Sequence, residues 1–157
     1  MKVIRIGVLI LLAVLCGVSQ TRSAEKSNDV TGDREKLTGA WHLVSMAGPE
    51  GKPIATALPT GMLIYTRDGH MSVQLMYPAS QTALSNEYVQ NGYEASFGSY
   101  EVNATNHTVT HHVRGANTGE RLVGKDLPRS YQFTANGRLV IKSARPDEHW
   151  SVTWEHY

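Results

Sequence analysis

The sequence predicts an all-β domain: roughly eight antiparallel strands forming an up-and-down β-barrel, with one short helix between strands three and four. Three observations carry this expectation. From Leu37 onward, apolar and polar residues alternate in short runs, the period of strands with one buried face. The dipeptides Asp68-Gly69 and Asn136-Gly137 lie between such runs and suit the positive φ of tight hairpins. Most runs succeed one another after only a few residues. Strands joined in that way pair in sequence, and a meander of eight hides its edges best by closing on itself.

The runs "AWHLVSM" (near 39–47) and "MLIYT" (near 61–67) are apolar on both faces and are placed as strands from their context. Near 70–77, Met71, Val73, Leu75 and Tyr77 oppose Ser72 and Gln74. Near 96–103, Tyr100 and Val102 oppose Glu101, and a turn comes next at Asn103–Asn106. The next strand, near 107–115, contains "TVTHHVRG", in which Val109, His111 and Val113 share one face and Thr110, His112 and Arg114 the other. Neighbouring residues of a strand point to opposite sides, so the two adjacent histidines do not form a pair: His111 faces in and His112 faces water. Near 128–134, Arg129 shares its inward face with Tyr131 and Phe133. Near 138–144, Leu139 and Ile141 oppose Arg138 and Lys142. Near 149–156, Trp150, Val152 and Trp154 oppose Ser151, Thr153 and Glu155.

Two connections are longer. Residues 47–60 are rich in Gly and Pro and read as a loop that shapes the barrel mouth. In residues 79–95, Leu84, Tyr88 and Ala95 approach helical spacing, which suggests the short helix, interrupted at Gly92.

Ahead of the strands stands "MKVIRIGVLILLAVLCGVSQTRSAEK". Lys2 and Arg5 precede a continuous apolar run from Ile6 to Val18, and small residues come after it. The run is shorter than the twenty or so residues that span a bilayer. Residues 1–24 therefore read as a signal peptide cleaved near 19–24, and the chain is expected to be exported, to a periplasm or outside the cell, with no membrane insertion after cleavage. Residues 25–36 are polar and read as a flexible tether, and residues 37–157 as the barrel domain.

Residues 1–24 hold three of the fifteen Lys and Arg and none of the fourteen Asp and Glu. The remainder thus has twelve bases against fourteen acids, a formal charge of −2, and no basic cluster of the kind that nucleic acid requires. Cys16, the only cysteine, falls in the leader, so the exported part has no disulfide, no thiol nucleophile and no Cys-based metal site. No two histidines share a strand face at i, i+2. His107 and His111 share one at a separation of about 13 Å, so no metal or other cofactor is expected.

A guanidinium and an imidazole on an inward face, among apolar neighbours, suggest a small-molecule site: apolar walls with a few polar groups that fix orientation. Candidate wall residues are Met71, Val73, Leu75, Val109, Val113 and Phe133. Tyr100, His111, Tyr131 and Arg129 would hold a polar end, such as an acid or an enol. Each also has a structural reading, His111 as a hydrogen-bonded core histidine and Arg129 stacked on Trp41 or Trp154.

The stretches "LTGAWHLVS", "PTGMLIYTRDGHMSVQL", "YEASFGSYEV", "TVTHHV", "VGKDLPRSYQF" and "VTWE" together run from Leu37 to Glu155. As a set the chain resembles the lipocalin-like domain family of calycin-type β-barrels. That resemblance implies that Trp41, in "GAW", plugs one end of the barrel and that an arginine packs over it, for which Arg129 is the candidate. The family commonly carries Thr where this chain has Ala40, and an aromatic where it has Ser96. The wider group includes carriers of apolar molecules and barrels that catalyse rearrangement or cyclisation, and fold does not choose between them. The leading expectation is a non-enzymatic barrel whose partner is a small hydrophobic molecule. One alternative is an isomerase or cyclase with His111 as general acid or base and Arg129 or Tyr100 stabilising negative charge. Another is a structural domain with a packed interior.

Overall fold

The computed structural model describes residues 32–54, 57–78 and 85–157. The expected leader, its cleavage point and residues 25–31 of the expected tether lie outside the described residues. Nine strands are present among the described residues: β1 (Gly39–Ala47), β2 (Thr60–Tyr65), β3 (His70–Met76), β4 (Val89–Gln90), β5 (Tyr93–Asn103), β6 (Thr108–Ala116), β7 (Asp126–Phe133), β8 (Leu139–Ser143) and β9 (Ser151–His156). All neighbours pair antiparallel. β1 pairs with both β2 and β9, and β3 pairs with β5, so eight strands close into a barrel. β4 is the extra strand. It pairs with β5 at Tyr93 and Glu94, before β6 takes over that edge at Ser96.

Alternation predicts the inward faces correctly. Met71, Leu75, Tyr100, Val109, His111, Val113, Arg129, Tyr131, Leu139, Ile141, Val152 and Trp154 are all buried. The doubly apolar β1 owes its pattern to a bulge. Leu43 pairs with Trp154 and Ser45 with Thr153, which leaves Val44 as the extra residue. One inserted residue reverses the parity of the rest of the strand. Trp41 and Leu43 therefore point inward before the bulge and Met46 after it, beside Val152. A second bulge separates Phe97 from Gly98 in the β5–β6 pair. A Cβ at Gly98 would lie 2.0 Å from the His112 carbonyl oxygen, so only glycine permits this approach of the two backbones.

The two expected hairpin turns share one design. In "TRDG" and "TANG" the glycine alone takes positive φ, 94° at Gly69 and 80° at Gly137. The leading threonine closes each turn. The Thr66 and Thr134 amides donate to the carbonyls of His70 and Arg138, and the hydroxyls of both threonines donate to Asp68 and Asn136.

Two expectations concern segments that the described residues cover only in part. The helix expected between strands three and four does not appear in the described part of that connection, residues 85–95; residues 79–84 are outside it. The Asn86 carboxamide accepts the amides of Tyr88 and Val89 at 2.8 Å, and β4 comes next. Asn91 (φ 53°) and Gly92 (φ 73°) then turn the chain into β5. Asn-Gly is a strong hairpin signal, and it sets the course of residues 89–95. The other concerns the tether, which is corrected at residues 32–36: these belong to a helical segment, 32–37. Leu37 is fully buried, and the Trp41 indole donates to its carbonyl at 2.9 Å. The Tyr131 hydroxyl donates to Asp33 at 2.6 Å. This segment closes one end of the barrel, where Trp41, Tyr65, Val109 and Leu139 are packed to near-zero exposure.

Candidate functional site

The opposite end is not filled by the described residues. A cavity of about 190 Å³ lies there, larger than the roughly 150 Å³ that accommodates benzene in an engineered core. One ring with a short arm suits that volume. Leu63, Val73, Leu75, Ile141, Val152 and Trp154 form an apolar wall from β2, β3, β8 and β9. Ile54, from the 47–60 loop, and Tyr88 and Val89, from the connection before β5, border the mouth. Both long connections therefore reach the cavity.

The polar groups lie together on consecutive strands: Glu94 and Ser96 on β5, His111 on β6, Arg129 on β7. His111 shares a 2.6 Å hydrogen bond through Nε2 with the Tyr65 hydroxyl. Burial, reinforced by the charge of Arg129 and by His112, lowers its pKa to about 3, so the imidazole is neutral at physiological pH. Burial likewise pushes the Tyr65 hydroxyl up. Glu94 is the counterpart. Burial raises its pKa to about 7, with Arg129 pulling the other way.

Arg129 is engaged by the protein itself. Its guanidinium lies 4.8 Å from the Trp150 ring centroid and 5.3 Å from that of Tyr88. Nη1 donates to the Pro128 carbonyl and Ser143 hydroxyl at 3.5 and 3.4 Å, and Nη2 to the Tyr88 hydroxyl at 3.1 Å. Glu148 lies 3.6 Å away as counter-charge. The Tyr88 hydroxyl in turn donates to Glu148 at 2.8 Å and accepts from Arg145 at 2.9 Å, while Arg145 bonds Glu87 and Glu148. This network ties residues 87 and 88 to the turn between β8 and β9 at the cavity rim.

The expected site residues divide accordingly. Val73, Leu75, His111 and Arg129 meet at the cavity. Met71, Tyr100, Val109, Tyr131 and Phe133 belong to the packed core toward the other end, and Val113 joins Leu122 and Leu127 in a separate small cluster. The hydroxyls of Tyr100 and Tyr131 are spent on the Thr66 carbonyl (2.9 Å) and on Asp33, so neither serves the cavity. The resemblance implied that Arg129 packs over Trp41, but its guanidinium lies over Trp150 and Tyr88 instead. The His156 ring covers Trp41, at 3.5 Å between centroids. His112 faces outward, as expected, with Asp126 at 2.7 Å.

Glu94 was not among the sequence candidates. Its signal was present: counting back in twos from Tyr100 passes Gly98 and Ser96 and reaches Glu94. Starting the strand at 96 hid it.

The sequence model of the family described as a lipocalin-like domain matches residues 38–156. No curated protein matches the chain. Solved structures do, among them a mutant of the fluorescent protein UnaG, at 12% identity and a TM-score of 0.43, with 78% of this chain and 97% of that chain covered.

Proposed function

This chain belongs to the lipocalin-like domain family, and we propose that its barrel holds a small molecule with a mostly apolar body, as a carrier or sequestering protein and not as an enzyme. The observation that carries this reading is the division of one cavity into an apolar wall and a polar wall, the arrangement that orients a ligand by its unlike ends. An acid–base role for His111 fares worse. An imidazole whose pKa is near 3 is neither a useful acid nor a strong base at neutral pH.

The test is a titration with isopropylbenzene, monitored by methyl NMR shifts. Leu63, Leu75 and Val152 should respond, and Val73→Trp, checked for retained fold by circular dichroism, should abolish the response. Unmoved methyls at millimolar ligand would leave the packed-interior reading instead. We also propose that the chain acts outside the cytoplasm. The support is the basic start and apolar run of residues 1–24.

A further inference from the structure

The polar wall is unequal in its hydrogen-bonding capacity. The terminal nitrogens of Arg129 donate to Pro128, Ser143 and Tyr88, with Glu148 as the ion partner. The His111 Nε2 is taken by Tyr65. Glu94 borders the same cavity, and no described residue hydrogen-bonds or ion-pairs with its carboxyl. Its backbone is held on both sides, by Leu75 of β3 and Val89 of β4, so strand pairing aims the side chain inward.

A partly buried carboxyl that borders the cavity, with no hydrogen-bond partner among the described residues, gains one when a donor enters. Two or more oxygen lone pairs are available there, whereas the donors nearby are spent. Resting on the carrier reading above, we propose that Glu94 receives the head group of the ligand, and that this head is an N–H or O–H donor, an amine or an alcohol on an apolar body, in place of the acid or enol that Arg129 alone would suggest.

The groups around Glu94 set its titration. Arg129 from β7 favours the ionised form, and Tyr77, at the end of β3, loses acidity to burial and to the Glu94 charge. His111 from β6 is neutral. Glu87, Arg145 and Glu148 at the rim compensate one another, with Lys125 3.8 Å from Glu87. Cavity burial dominates and holds the carboxyl at about 7. An ammonium head would therefore bind more tightly as pH rises through 7, whereas an alcohol would depend on pH much less.

Four probes sharing a phenylethyl body separate the possibilities: 2-phenylethylamine, 2-phenylethanol, the methyl ether of that alcohol, and 3-phenylpropionate. Methyl NMR titrations on the full folded chain should show the amine at pH 8 binding at least about tenfold more tightly than the ether, the lower bound for a hydrogen bond to a charged group. The alcohol should fall between them and the acid should bind last. Glu94→Leu should erase the preference, so that amine, alcohol and ether bind alike. Glu94→Gln should erase the advantage of the amine and keep that of the alcohol. An ether or acid that binds as well as the amine, or a preference that survives Glu94→Leu, overturns the assignment of Glu94 and leaves the carrier reading standing. Binding of none of the four, with no response to isopropylbenzene, overturns both.

Discussion

The Tyr65 hydroxyl and the His111 Nε2 lie 2.6 Å apart on the inner surface, between the packed end of the barrel and its cavity. Each satisfies the other, and both residues are buried. Tyr65 comes from β2 and His111 from β6, 46 residues later in the chain. The pair therefore bridges the barrel interior, and both members are held neutral by burial.

Removing one member should cost more than removing both. Tyr65→Phe leaves a buried imidazole nitrogen unpaired, at about 1–3 kcal/mol. Tyr65→Phe with His111→Leu should recover part of that loss in urea unfolding. The pH dependence has a definite sign. An unfolded histidine titrates near 6.5 and the folded one near 3, so the unfolded state binds more protons between those values. Stability is fully present above 6.5 and falls as pH drops toward 3, by up to about 1.4 kcal/mol per pH unit from this group. The double variant should have a visibly flatter acid limb. An unchanged slope would remove His111 from the account.

Arg129 should prove to be a structural cation. With side-chain exposures of 5% and 13%, Arg129 and Glu148 form a buried pair, and breaking such a pair strands a charge, at about 3–5 kcal/mol. Glu148→Gln should lower the thermal midpoint markedly, whereas Glu155→Gln, on the exposed pair with Arg138, should change it little. Equal effects of the two substitutions would contradict the assignment.

Export is checked directly. N-terminal sequencing of the protein from its native cell should find a chain that begins between residues 20 and 25. A mature chain that still carries Met1 or the apolar run from Ile6 to Val18 would show that the segment is not removed.

Much of the barrel was legible in the sequence because strand parity is a local property. His111 and Arg129 were placed inward by counting in twos, and both are buried. The same count would have reached Glu94 had the strand been extended. Asn91-Gly92 was equally local, and it marks the hairpin that leads from β4 into β5. The reversal at Val44 was less accessible. A bulge depends on the register with β9, which no short window contains.

The linear chain determined which residues face the interior, since backbone geometry alternates side chains whatever their neighbours. Only the tertiary structure decided which of those residues border free space. Val109 and Val73 have equivalent inward positions on their strands, yet Val109 is packed to zero exposure and Val73 lines the cavity. The difference arises because filling depends on the summed volume of side chains from strands distant in sequence. At one end Trp41, Tyr65 and the 32–37 segment consume that volume, and at the other the described residues leave it free.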